Sequence, residues 1–198
     1  MLNNFFLIIS HLGCPALDLI PVFNETQMVQ LYHTNTNYNH PNKLINVLST
    51  PHKHNFNSGI HGDICFNNIS ISSKSIYTSC KFIYIVNNPK YSLNKINLIF
   101  KSEENSINHY FFRLRRMLEM SIMSKGLYLR WDQIVGNPEK SNDMIKEYLE
   151  ITENLNLQKY CQKEEIENTF SFDVLKQANE KFEKYNYLIS KTTEFNLQ

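Results

Sequence analysis

Positive charge is missing from the start of this chain: no Lys or Arg lies between Met1 and Lys43. Over all 198 residues the charges nearly cancel, with 20 Lys and Arg against 19 Asp and Glu and a net charge of +1. A chain so balanced has no broad electrostatic footprint, so neither nucleic acid nor a membrane surface is an expected partner. Cysteine is sparse and scattered: Cys14, Cys65, Cys80 and Cys161 form no C-x-x-C pair. That spacing excludes the usual zinc arrangements and reads as buried thiols of a cytoplasmic protein. His52, His54 and His61 are close in sequence but lack the regular spacing of a helical ligand pair, so no metal is expected. No apolar run approaches the roughly 20 residues of a membrane helix. Phe5 to Ile9, with Leu12-Gly13-Cys14 beyond it, is shorter than the roughly 7–15 residues of a signal core and no basic residue precedes it. A G-x-x-x-x-G-K-[ST] loop is also absent, which disfavours a nucleotide kinase.

What is present is enough to fold. Hydrophobic residues make up 42% of the chain, and its length suits a single domain over residues 1–198. The most informative stretch is Lys81 to Lys95. Phe82-Ile83-Tyr84-Ile85-Val86 is an unbroken β-branched and aromatic run, the mark of a strand buried on both faces. It stops at Asn87-Asn88-Pro89, because proline removes a ladder donor and drives Asn88 out of the helical region. Ser92, Leu93, Ile96, Leu98 and Ile99 then recur as on a helix. Phe5 to Ile9 is a second strand of the same kind, predicted to lie beside the first in a parallel sheet.

The remaining segments alternate. Ala16 to Phe23 begins a helix interrupted by Pro21, Gln27 to Tyr32 is a strand, Pro41 to Leu48 a helix, and Asp63 to Phe66 a strand. Ser70 to Thr78 is read as a connecting helix. Ser106 to Met123 is the clearest helix, with Ile107, Tyr110, Phe111, Leu114, Met117, Leu118 and Ile122 at helical spacing. Arg115 and Arg116 stand four and three residues before Glu119 and should pair with it. Leu127 to Trp131 is a strand, and Val174 to Ser190 a last helix. The expected fold class is α/β: a three-layer domain with a mostly parallel central sheet of about five strands and helices on both faces. Ligands of such sheets lie beyond the carboxyl ends of the strands.

Two segments carry a resemblance. Val86-Asn87-Asn88-Pro89-Lys90, a strand ending at Asn-Pro and a basic residue before a helix, resembles the Arg-Asn-Pro turn of sulfotransferases. The segment Arg130-Trp131-Asp132-Gln133-Ile134-Val135-Gly136-Asn137-Pro138-Glu139 is similar to their strand-to-helix Tyr-Glu-Asp-Leu-…-Asn-Pro-Glu segment. The resemblance spans roughly Phe5 to Leu149. It implies a P-loop-like nucleotide-binding fold, the cofactor 3′-phosphoadenosine-5′-phosphosulfate, and transfer of its sulfuryl group to a hydroxyl of a sugar, peptide or small molecule. On these residues it would place the nucleotide phosphates against Gly13, Asn87, Asn88, Lys90 and Lys95, and the sulfuryl group near the loop of His11 and Cys14. Arg113 is a candidate on other grounds: three after Tyr110 and four before Met117, it lies close to its helix's apolar stripe, in reach of the sheet's ligand edge. His11 would act as acid, base or charge stabiliser, and Cys14 as a thiol at a helix start. Asp63 is a further candidate base.

The chain departs from that family in two places. Asn87 stands where the family has its arginine, and Ser10 to Ala16 contains one glycine and no cation. Lys95 falls where the family has a serine. These departures set a second expectation beside the enzyme: a catalytically degenerate relative that acts by binding.

Overall fold

The computed structural model describes residues 4–26, 29–32, 45–49, 80–163, 165–193 and 195–196. Its centre is a six-stranded sheet with the order β2-β3-β1-β4-β5-β6. The strands are β1 (Asn4–Ser10), β2 (Val29–Tyr32), β3 (Ile45–Ser49), β4 (Cys80–Val86), β5 (Leu127–Arg130) and β6 (Phe195–Asn196). Every pairing is parallel. The two apolar runs are adjacent inner strands as expected, with Leu7 opposite Phe82 and Ile9 opposite Tyr84.

Two expectations are corrected. The sheet has six strands rather than about five: Ile45–Ser49 and the two-residue β6 join it, neither expected as a strand. Ile45–Ser49 is a strand, not part of a helix over Pro41 to Leu48. Ile45, Val47 and Leu48 satisfy either period over so short a run, and pairing with β1 and β2 decides for the sheet. The predicted elements Asp63 to Phe66 and Ser70 to Thr78 lie outside the described residues.

Among the described residues seven α-helices surround the sheet: α1 (Leu19–Asn24), α2 (Pro89–Phe100), α3 (Glu103–Met123), α4 (Trp131–Gly136), α5 (Pro138–Leu149), α6 (Leu157–Tyr160) and α7 (Phe172–Thr192). Their starts are written locally. Asn88 and Asn137 each precede a proline and accept a hydrogen bond from the third N–H beyond, Tyr91 and Lys140, both at 3.1 Å. Ser102 and Ser171 cap α3 and α7 in the same way. Pro21 does not break α1, because it sits in the first turn where its missing N–H has no helical partner.

Alternation along the strands divides the core in two. Phe6, Ile8, Ile83, Ile85, Leu127 and Leu129 face one side and pack with α1, α4, α5 and α6. Ile9, Phe82, Tyr84, Val86 and Tyr128 face the other and pack with α2, α3 and α7. Trp131 is buried where β5 gives way to α4; Leu114 is buried on the second side, and Leu118 is partly buried at its margin. Gly126 leads α3 into β5 against the backbone of β4: a Cβ there would stand 2.2 Å from the Phe82 carbonyl oxygen.

The strand order fixes where a ligand could lie. The connection after β1 runs toward β2, at one edge, and the connection after β4 runs toward β5, on the other side. Neighbouring strands whose connections diverge leave a crevice at their carboxyl ends. That crevice is bounded by the loop after Ser10 and the turn after Val86, the two places singled out from sequence. Tyr110 of α3 reaches Asn87, whereas Ser124 beyond the end of α3 meets Tyr84. So α3 descends along β4, its first turns stand above the sheet's carboxyl edge, and α2 rises beside them.

Candidate functional site

The crevice is closed by one buried hydrogen-bonded unit. The backbone N–H of Asn87 donates to His11 Nε2 at 3.0 Å. With Nε2 accepting, the ring proton is on Nδ1, which donates to the Leu12 carbonyl at 2.9 Å. Tyr110 donates its hydroxyl to the Asn87 carbonyl at 2.7 Å, and its ring meets the His11 ring edge-on at 5.0 Å. Burial pushes the His11 pKa down to about 4, so the ring is neutral at physiological pH. Burial likewise holds the Tyr110 hydroxyl protonated.

The loop after β1 is packed rather than open. Gly13 has a φ of +83°, which favours glycine, and a Cβ there would lie 2.6 Å from the Ser92 carbonyl oxygen. The turn thus presses on the first turns of α2. Cys14 donates its N–H to the His11 carbonyl at 3.1 Å, and its thiol is buried. Burial drives the thiol pKa far above its ordinary value, so no thiolate forms. The helix expected to activate it is only six residues long.

The turn after β4 differs from the loop. Asn87 Oδ1 accepts from the Asn88 N–H at 2.9 Å, but its Nδ2 is buried with no hydrogen-bond partner. Ser92 Oγ, near the start of α2, is also buried without one. Native proteins leave few such groups, and each calls for an explanation such as a ligand or ion. Asn88 is committed to capping α2. Lys90 is exposed and Lys95 half-buried on that helix. Arg113 is fully buried one turn along α3 from Tyr110, with its guanidinium 5.3 Å from the centre of the Phe112 ring. Arg115 and Arg116 pair with Glu119 at 3.0 and 2.8 Å as expected.

Arg130, the last residue of β5, was not singled out as a site residue. It sits one strand along the same carboxyl edge and grips Asp132 through Nε and Nη2 at 3.0 and 2.7 Å. Its Nη1 reaches Glu183 at 3.4 Å, and its guanidinium lies 5.5 Å from the Phe182 ring. Burial works against its charge, but the Asp132 bonds more than offset this and raise its pKa. The Arg-x-Asp spacing at a strand end was the available signal; Glu183 and Phe182 come from a helix more than fifty residues on.

His52, His54, His61 and Asp63 lie outside the described residues. Among the described residues no group of His, Cys, Asp and Glu is placed to hold a metal ion, and no helix is long and apolar enough to cross a membrane. An open cleft of about 390 Å³, lined by Glu139, Asn142, Asp143 and Asn156 among others, lies between α5 and α6, away from the crevice. The chain matches no described protein family, and no curated protein is similar to it.

The residues present do not fit a phosphosulfate at the loop. The loop offers a neutral imidazole, a protonated thiol and a glycine already in contact with α2, where a strongly anionic group needs fixed positive charge.

Proposed function

We propose that this chain is a sulfotransferase-like α/β protein that binds a phosphate-bearing nucleotide at the β1/β4 edge without transferring a sulfuryl group. The contrast between the two halves of that edge supports the reading. At the turn, Asn87 Nδ2 is a buried donor and Ser92 Oγ a buried hydroxyl, neither with a partner. At the loop, the groups transfer would require are engaged or uncharged.

Sulfuryl transfer moves the group from the phosphosulfate oxygen to an acceptor hydroxyl, whose proton passes to a base. It needs a cation at the bridging oxygen and an available basic atom. His11 Nε2, the one basic atom of its ring, already accepts from the Asn87 N–H. Cys14 keeps its proton. Under this reading the hydroxyl of a sugar, peptide or small molecule is not consumed, and 3′-phosphoadenosine-5′-phosphosulfate is at most a ligand. Two cations are absent, from the loop and from position 87. Each charged hydrogen bond is worth roughly 1.5–3 kcal/mol, so together they weaken binding by about 3–6 kcal/mol, from micromolar to roughly millimolar.

Calorimetry with 3′-phosphoadenosine-5′-phosphate should therefore give a dissociation constant near the millimolar range, and incubation with the phosphosulfate and hydroxyl acceptors should yield no sulfated product. Micromolar binding together with product would restore the enzyme. An absence of binding at high millimolar concentration would leave the crevice without a nucleotide.

A further inference from the structure

Between α6 and α7 the chain changes sides of the sheet. Cys161 is buried in the core that α1, α4, α5 and α6 share with the sheet. Phe170, nine residues on, is buried in the core of α2, α3 and α7. The crossing begins beside α1. Lys159 meets Glu25 at 2.6 Å, Tyr160 bonds the same carboxylate, and burial, with a smaller contribution from Asp18, pushes the Cys161 thiol up to about 12. It ends on α2, where Asn94 engages Asn168 and Thr169.

Nine residues reach at most about 30 Å. Passing through the sheet plane from one helix layer to the other takes about 20 Å, and each strand of detour adds about 5 Å in each direction. A path around β2 or β6 from these endpoints needs about 45 Å, which the segment cannot span. Asp18 follows the carboxyl end of β1, and α2 rises from the carboxyl end of β4. The segment therefore passes over the carboxyl edge, across the crevice formed by the His11 loop and the Asn87 turn.

We propose that residues 161–163 and 165–170 form a strap that closes this crevice, and that Asn94 is its latch. Asn94 is almost fully buried and uses every polar position of its side chain. Its Oδ1 accepts from the Thr169 N–H and hydroxyl, both at 2.8 Å. Its Nδ2 donates to the Lys90 carbonyl at 2.5 Å and to Asn168 Oδ1 at 3.2 Å. Asn97, one turn on, donates to the Thr169 hydroxyl at 3.3 Å. One amide thus ties the strap to the second turn of the helix whose first turns carry Asn88 and Ser92. Ahead of the latch, Glu165 and Glu167 are exposed. Against these two carboxylates the described strap carries one cation, the exposed Lys163, so on balance it sets negative charge over the edge where a phosphate would enter. The strap is read from the path of the chain and does not depend on the nucleotide.

Hydrogen–deuterium exchange on the full-length protein without ligand tests the strap by itself. Asn94→Ala should speed exchange of residues 165–170 at least tenfold, and should speed residues 11–16 and 88–92 with them, while the centre of β4 stays protected. Release of the strap with unchanged exchange at 11–16 and 88–92 would show that it does not cover the crevice. Unchanged strap exchange would show that Asn94 is not the latch. If Asn94→Ala also exposes β4, Thr169→Val decides: it removes the hydroxyl bonds, keeps the backbone bond, and should show the same ordered pattern at smaller amplitude. Uniform acceleration in that variant would overturn the proposal.

Discussion

Acid should destabilise this protein through His11, and the size of the effect follows from its surroundings. In the unfolded chain the imidazole takes up a proton below its ordinary pKa of 6.5, whereas in the folded protein it does so only near 4. Between those values the unfolded state binds more protons, so stability falls as the pH falls. Above pH 6.5 the full contribution is present; below about 4 it is lost. The slope inside the window is about 1.4 kcal/mol per pH unit, so some 2.5 units give a loss of about 3 kcal/mol. Protonating Nε2 would also set it against the Asn87 N–H, two donors facing each other at 3.0 Å. The measurement is urea unfolding from pH 7.5 to 4 for the natural protein and for His11→Gln. Subtracting the two series cancels every other histidine and carboxylate. The Gln variant should start lower at pH 7, for want of a fitted partner to Tyr110 and Asn87, and should show a flatter dependence between 6.5 and 4. Identical slopes would refute the reasoning, since His11 would then be reaching solvent and titrating normally.

Gly13→Ala combines a left-handed backbone with a clash against the Ser92 backbone; a loss of about 2–5 kcal/mol is expected in the same unfolding assay. Leu114→Ala should cost about 2–5 kcal/mol, because the side chain is fully buried between α3 and the sheet. Leu118→Ala, at the exposed margin, should cost less, and the reverse ranking would mean that the helix face is misplaced. Cys14 should resist iodoacetamide in the folded protein at pH 8 and react once urea is added, as mapped on its own peptide; rapid labelling of the native state would contradict its burial. Tyr110→Phe should cost about 1 kcal/mol through the lost bond to Asn87, and no loss would mean that water replaces it.

Much of the scaffold was legible where the chain is locally consistent. Phe82 to Val86 and Phe5 to Ile9 are apolar at every position, so burial on both faces and central placement followed. Pro89 after Asn88 marked the strand's end and the next helix start together. Ile45–Ser49 was not legible, because five residues carry too little periodicity to separate a strand from a helix. Phe195–Asn196 is shorter still and owes its status to β5. At the site, the sequence named His11 and Asn87 but could not show that they bond to each other across 76 residues. It flagged a histidine as chemistry, and only burial shows the ring spent on holding the loop. Arg130 escaped notice for the same reason: its partners Asp132 and Glu183 are set by folding, and only the first is near in sequence.

The strand order carries a consequence for how the chain comes to fold. β1 is the first strand along the chain, yet its neighbours are β3 and β4, at residues 45–49 and 80–86. During synthesis β1 has no lasting partner on its β4 side until some seventy-five further residues have been made, the separation of Phe5 from Cys80. Pairing over such separations is slow, because the loop entropy is lost before the contacts are gained. Through that interval Phe5 to Ile9 stands as an unprotected apolar edge, the kind of strand that pairs with another chain. Unlike the strands of a hairpin, it cannot be sheltered by its nearest neighbours in sequence. A central strand of the finished sheet is thus a point of misassembly while the protein is being made.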